Sequence, residues 1–166
     1  MSKRSSIGSW AYTIGPYADK PIDFDTVCTK LKALGFDGVE VLHRQMRDEM
    51  PGYVNGLKRL AFTLGLDLYM LSIHQNFVSP DAAVRKQNID HTKRCIDLAS
   101  QLGIPAIRLN SGRWGTVPKF DDLMKVKGNE PPLPGHTNDD AFAWCIDSIQ
   151  QCLPHAERAE IGRAHV

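Results

Sequence analysis

The chain has 166 residues, 42% of them hydrophobic and 23% charged, with a formal net charge of +1. That length gives room for one domain with a sizeable core, and the near-neutral charge offers no electrostatic reason for nucleic acid or an anionic membrane as partner. The N-terminus is basic without a following apolar signal region, and no run is long enough to span a bilayer, so the default expectation is a cytoplasmic protein.

The first strand is expected over Ile7 to Thr13, ending in the aromatic pair Trp10 and Tyr12. After a Gly- and Pro-containing loop, Asp23 is the expected N-cap of a helix whose apolar face is Phe24, Val27, Leu31 and Leu34. A second strand is expected over Gly38 to Leu42, and Val54, Leu57, Leu60, Ala61 and Leu64 mark the second helix. The third strand spans Leu66 to Ile73 and leads into His74. Ser79-Pro80-Asp81 then signals a helix start. That helix runs to about Leu102, with Val84, Ile89, Cys95, Ile96, Ala99 and Leu102 on its buried side. A fourth strand is expected over Ala106 to Asn110.

An irregular stretch rich in Gly and Pro follows, from Ser111 to about His136, of a length usual for lids. Lys125, Lys127 and Glu130 in it read as solvated. Thr137 or Asn138 caps a last helix containing Phe142, Cys145, Ile146, Ile149 and Leu153, which Pro154 should kink or end. The four cysteines include no C-x-x-C pair, and Cys28, Cys95 and Cys145 lie on apolar helical faces. They read as small hydrophobes rather than as a disulfide framework or a zinc site.

One phrase recurs three times: Leu34-Gly35-Phe36-Asp37, Leu64-Gly65-Leu66-Asp67 and Leu102-Gly103-Ile104-Pro105, each followed by a short apolar run. A Gly that closes a helix in the left-handed conformation, followed by a buried parallel strand, accounts for it. Four βα units in a row imply parallel strands. They fit half of a (βα)8 barrel or a small doubly wound sheet. Short helix-to-strand turns and long, chemically rich strand-to-helix loops favour the barrel. No G-x-G-x-x-G follows the first strand, which argues against dinucleotide binding.

The final residues differ in kind. Ile161-Gly162-Arg163-Ala164-His165-Val166 is one reading frame of a common sequencing-library adapter (ATC GGA AGA GCA CAC GTC), and Glu160 can share its codon with the adapter's first bases. Residues 160–166 are therefore read as adapter read-through outside the fold, leaving residues 1–159 as the partial barrel. A genuine polar tail is the alternative, and resequencing beyond the Ala159 codon decides between them.

Ile7-Gly8-Ser9-Trp10-Ala11-Tyr12, Gly35-Phe36-Asp37-Gly38-Val39-Glu40 and Ser72-Ile73-His74 sit at three successive strands. In this order and spacing the chain resembles the xylose isomerase-like TIM barrels, the group of sugar phosphate isomerases/epimerases and family 2 AP endonucleases. The resemblance covers Ile7 to about Ala159 and implies the N-terminal half of a barrel, a parallel (βα)4 fragment. It further implies a divalent metal (Mn, Mg, Co or Zn) in the full-length parent, held by Glu, Asp, His and Glu on strands five to eight, beyond Ala159. No catalytic residue and no metal ligand is carried onto this chain, apart from His74 as a weak metal candidate, and the fragment alone is expected to bind no metal and to be inactive.

What remains is a substrate-facing set: Trp10, Tyr12, Glu40, His74, Asn110, Arg113 and Trp114. His74 ends a strand, where it could touch substrate, ligate a metal as in endonuclease-like members, or bond a neighbouring loop. Glu40 sits inside an apolar strand and needs a partner, either substrate hydroxyls or a buried Arg such as Arg108. Asn110 offers donor and acceptor to a polyol, Arg113 could meet a carboxylate or phosphate, and Trp114 could stack on a sugar face. Trp10 and Tyr12 read as pocket wall or barrel core. His43 and Arg44 could add polarity to the mouth, whereas His91, His136 and His155 read as solvated. The leading function is a metal-dependent isomerase or epimerase of a small sugar or polyol, working by proton transfer beside a carbonyl in a parent that can be homo-oligomeric. An inosose-type dehydratase or lyase is a variant on the same fold. An AP endonuclease would need a His where Asn110 stands, and a non-catalytic sugar-binding module is the third alternative.

Overall fold

The computed structural model describes residues 4–14, 17, 19, 20 and 22–164. Its framework is one all-parallel sheet in the order β1-β2-β3-β4-β5, with strands β1 (Ser6–Gly8), β2 (Gly38–Leu42), β3 (Asp67–Ser72), β4 (Ala106–Arg108) and β5 (Gly162–Ala164). Sequential order with β1 at an edge is the arrangement of an opened barrel; a doubly wound sheet would place β1 inside. Helices α1 (Phe24–Ala33), α2 (Pro51–Leu64), α3 (Ala82–Leu102) and α5 (Asn138–Arg158) connect the strands, and a short α4 (Phe120–Lys125) lies within the long loop after β4.

The repeated phrase has the conformation its chemistry calls for. Gly35, Gly65 and Gly103 have φ of +84°, +61° and +71°, and the Gly65 and Gly103 N–H groups close α2 and α3 on carbonyls one turn back. Asp23 caps α1, accepting from Thr26 N at 3.0 Å, and Thr137 with Asp140 forms a reciprocal capping box on α5. At α3 the cap is Asp81, which accepts from Ala83 N at 2.8 Å, while Ser79 Oγ accepts from Asp81 N. The expected helix start thus moves inward by two residues.

Side chains alternate across a strand, and this divides the sheet into two chemistries. Val39 and Val41 of β2, Leu71 of β3, Ile73 just beyond it and Ile107 of β4 join Phe24, Val27, Leu31, Leu57, Ile96 and Leu102 in one apolar cluster. Glu40, Ser72 and Arg108 alternate with those residues and lie on the opposite, helix-free face. All four cysteines are buried and free. Burial pushes the Cys28 and Cys95 thiols up to about 12 and Cys152 to about 11, so they remain protonated hydrophobes.

Several expectations are corrected. The first strand ends at Gly8, and Ser9–Thr13 winds into a 3-10 turn in which Thr13 Oγ1 donates to Trp10 O. β4 ends at Arg108, two residues early. Val84, Phe142, Ile146 and Leu153 are exposed; α5 instead buries Ala141, Cys145, Ser148 and Cys152, three of which pack with Ile89 of α3. Pro154 does not end α5, which continues to Arg158; the exposed ring sits in the last turns of a long helix already fixed by packing. Gly162–Ala164, within the residues read from the sequence as adapter read-through, pairs with β4 in parallel, Ala106 opposite Gly162. Backbone ladder bonds are indifferent to side-chain identity, and the open edge of β4 accepts an extended segment of this composition.

Candidate functional site: the mouth at the strand ends

Because the strands are parallel, their C-terminal ends share one edge, and the loops leaving β2, β3 and β4 bring His43, His74, Gln75, Asn76, Asn110 and Arg113 there. Beneath them lies the polar trio of the helix-free face. Glu40 is 7% exposed and accepts a short hydrogen bond from Ser72 Oγ at Oε1. Arg108 Nη1 stands 3.9 Å from the same oxygen. Of the two expected partners, Arg108 is therefore present, with Ser72 added. Arg108 Nε is buried without a hydrogen-bonding partner.

Asn110 and Arg113 line a pocket of about 520 Å³ together with Gln75, Asn76, Leu109 and Gly112. Gln75 Nε2 donates to Asn110 O at 2.7 Å, while its Oε1 is buried and unpartnered. Asn76 organises the floor: its Oδ1 accepts from Val78 N and Arg113 N, and its Nδ2 donates to Arg113 O. Gly112 at φ +112° touches this cradle, since a Cβ there would fall 1.9 Å from Asn76 Oδ1.

His74 is exposed at the end of β3. Desolvation first, then the Arg44 and Arg108 charges, lowers its pKa below the usual imidazole value, so a neutral ring faces the mouth at physiological pH. Trp10 is 44% exposed on the 3-10 turn. Tyr12 packs against the helix–sheet core and meets the Tyr17 ring in a tilted contact at 5.2 Å. Both aromatics therefore leave the strand position in which they were expected. Arg113 and Trp114 have structural partners. Arg113 Nη1 meets Glu130 Oε1 at 3.0 Å; Trp114 Nε1 donates to Asn138 Oδ1, and its ring contacts His136 and Trp144.

Besides His136, three residues read as solvated are engaged. Glu130 has a side chain only 3% exposed and accepts from Gly115 N and Val117 N as well as from Arg113, stapling the loop that follows β4. His155 Nε2 lies 2.7 Å from Asp97 Oδ1. His91 lies half-buried with His43 and Cys95, their ligating atoms all within 4.8 Å of one another. The sequence signal for that cluster was the i, i+4 spacing of His91 and Cys95 on one helix; the third member comes from the turn after β2, about 50 residues away in the chain.

Residues 28–163 match the family model of the xylose isomerase-like TIM barrel, and the chain belongs to that family. Among solved structures it is similar to a protein of Sinorhizobium meliloti (22% identity, TM-score 0.70, covering 97% of this chain and 49% of that one). A D-psicose 3-epimerase crystallised in the presence of D-fructose matches at 18% identity and TM-score 0.71, covering 97% and 51%. A 3-keto-D-glucoside 4-epimerase from E. coli matches at 16% identity and TM-score 0.66, covering 87% and 51%. The chain thus spans about half the length of these structures. No described helix is long and apolar enough to cross a membrane.

Members of this fold typically bind a divalent metal through a carboxylate-rich set. The described residues do not supply one at the mouth: Glu40 is engaged by Ser72 and Arg108, and Asp67 begins β3 at the opposite edge. No reaction step is assigned to such an ion on these residues.

Proposed function

We propose that this chain is the substrate-facing half of a cytoplasmic, metal-dependent sugar or sugar phosphate isomerase/epimerase, whose homo-oligomeric parent moves a proton on a carbon beside a carbonyl. Family membership and the sugar epimerases among similar folds support the reading. The observation that carries it is the mouth itself. Exposed His74 at the end of β3, and Gln75 and Asn110 lining the pocket at the same edge, present donors and acceptors in the mixed pattern that a polyol's hydroxyls and carbonyl require. These residues bind and orient; the proton-transfer groups belong to the other half of the parent barrel.

The test uses the full-length parent, purified with divalent metal and incubated with ketohexoses in D2O. Proton abstraction beside the carbonyl exchanges one C–H for deuterium in substrate and epimer, which NMR reads directly. Deuterium incorporation that weakens when Asn110 or Gln75 is changed to Ala supports the proposal. Incision of abasic DNA without sugar exchange would replace it with the endonuclease alternative, and sugar binding without exchange would leave only a binding module.

A further inference from the structure

Apart from the side chains proposed to meet substrate, the described residues hold one group with the chemistry of a transition-metal site: His43, His91 and Cys95. His43 opens the 3-10 turn His43–Gln45 that leaves β2. His91 and Cys95 stand one turn apart on α3, so they share a face. We propose that His43, His91 and Cys95 form a zinc site that ties the loop after β2 to α3. This inference is independent of the isomerase reading and of the carboxylate-bound metal of the parent barrel.

The geometry is close to what such an ion needs. Zinc takes imidazole nitrogen at about 2.0–2.1 Å and thiolate sulfur at about 2.3 Å in a tetrahedron, which puts donor atoms roughly 3.3–3.7 Å apart. Cys95 Sγ is already 3.7 Å from His91 Nε2. All the ligand atoms lie within 4.8 Å, so closing the site takes side-chain movements of about 1 Å. Two imidazoles and one thiolate select zinc or cobalt over the hard cations that prefer oxygen.

The surroundings supply the outer shell that metal-bound histidines require. Glu49 Oε1 lies 2.7 Å from His43 Nε2, a carboxylate that holds the proton on that nitrogen and leaves Nδ1 as the lone-pair donor. Glu49 Oε2 is in turn held by Arg94 Nε at 3.4 Å. Cys95 is fully buried, and because that burial pushes its thiol up to about 12 it gives up its proton only as the metal binds. One contact opposes binding: Arg94 Nη2 sits 3.1 Å from His91 Nδ1, where the metal-bound tautomer would carry its proton. The Arg94 side chain is 60% exposed and can withdraw towards Glu49. Arg94 is therefore a competitor of the metal, and its removal should tighten the site.

The test is titration of the untagged, chelator-dialysed chain with Co2+. The expected result is one equivalent bound, with tetrahedral d–d absorption and a thiolate-to-cobalt charge-transfer band that Zn2+ abolishes. Cys95→Ser should remove the charge-transfer band, and Cys28→Ser should leave it intact. His43→Ala and His91→Ala should each weaken Co2+ binding at least tenfold, while Arg94→Met should strengthen it. His43 stands on the short turn after β2 and not inside a core helix, so its variant keeps the question open to measurement if Cys95→Ser does not fold. Absence of a thiolate band, its survival in Cys95→Ser, or affinity unchanged in both histidine variants would overturn the proposal.

Discussion

Glu130→Ala should release the loop over residues 111–136 while leaving the barrel core folded. The carboxylate accepts from Gly115 N at 3.0 Å, Val117 N at 3.1 Å and Arg113 Nη1 at 3.0 Å, with its side chain 3% exposed. A hydrogen bond to a charged group contributes about 1.5–3 kcal/mol, so the two backbone donors represent about 3–6 kcal/mol gross. Arg113 is 46% exposed, and screening limits its share to about 1 kcal/mol or less. The freed N–H groups can turn to water once the loop lifts, which caps the observable cost at about 2–4 kcal/mol of local stability. At about 1.4 kcal/mol per tenfold, amide exchange at Gly115 and Val117 should accelerate between about thirtyfold and several hundredfold. Hydrogen exchange read residue by residue measures this, and amides of β2 and β3 serve as internal controls. Glu130→Gln, which keeps one acceptor oxygen, should fall between. Unchanged exchange at both amides in Glu130→Ala would show that the staple does not hold the loop.

Gly112→Ala should destabilise the same loop by at least about 2 kcal/mol, because a positive φ is combined with a Cβ 1.9 Å from Asn76 Oδ1; an unaltered denaturation midpoint would contradict this. Asp23→Ala should cost about 1 kcal/mol, the usual contribution of an N-cap. The hydrogen bonds from Thr26 hold the Asp23 pKa below its ordinary 3.8, so its stabilisation is present above that value and lost as pH falls through the folded value. The variant's stability–pH curve should therefore be flatter below about pH 4. In the full-length parent, His74→Ala should lower kcat/KM by about tenfold to a hundredfold, the scale of one hydrogen bond, at unchanged thermal stability; unchanged turnover and affinity would remove it from the site. The chain cut after Ala159 should self-associate more strongly than the 166-residue chain, because the β4 edge loses its partner, which light scattering at matched concentrations decides.

The parallel framework was legible because it is written locally. Each Leu-Gly-apolar phrase encodes a helix stop and a strand start within a few residues, and β2 occupies the expected residues, Gly38–Leu42. Where local and tertiary signals diverge, the sequence is less informative. Ile7 to Thr13 carries β-prone aromatics, but the chain needs a turn at Ser9, whose Oγ accepts from Leu42 N. Phe142 and Ile146 have helical spacing, yet α3 packs against the neighbouring face of α5. Of the mouth, Glu40 and Arg108 were readable as a pair because a buried acid demands a counterpart. Glu130 and His91 were not, since their partners arrive through loops and elements distant in sequence. A Lys- and Gly-rich surrounding made Glu130 look solvated, and nothing near His91 announces His43.

The seam at β4 is written in backbone rather than in side chains. Gly162 N donates to Pro105 O at 2.8 Å and the next residues pair in register with Ile107 and Arg108, two of the three incoming residues being small. Such an edge sets strand direction and pitch and leaves the identity of the incoming strand free. That makes it a natural splice point for chimeras: a second half from a distant barrel can be joined there without redesigning the four units before it. Selection on such a joint would act on the length and helicity of the preceding connector, here α5, more strongly than on the letters of the strand that follows.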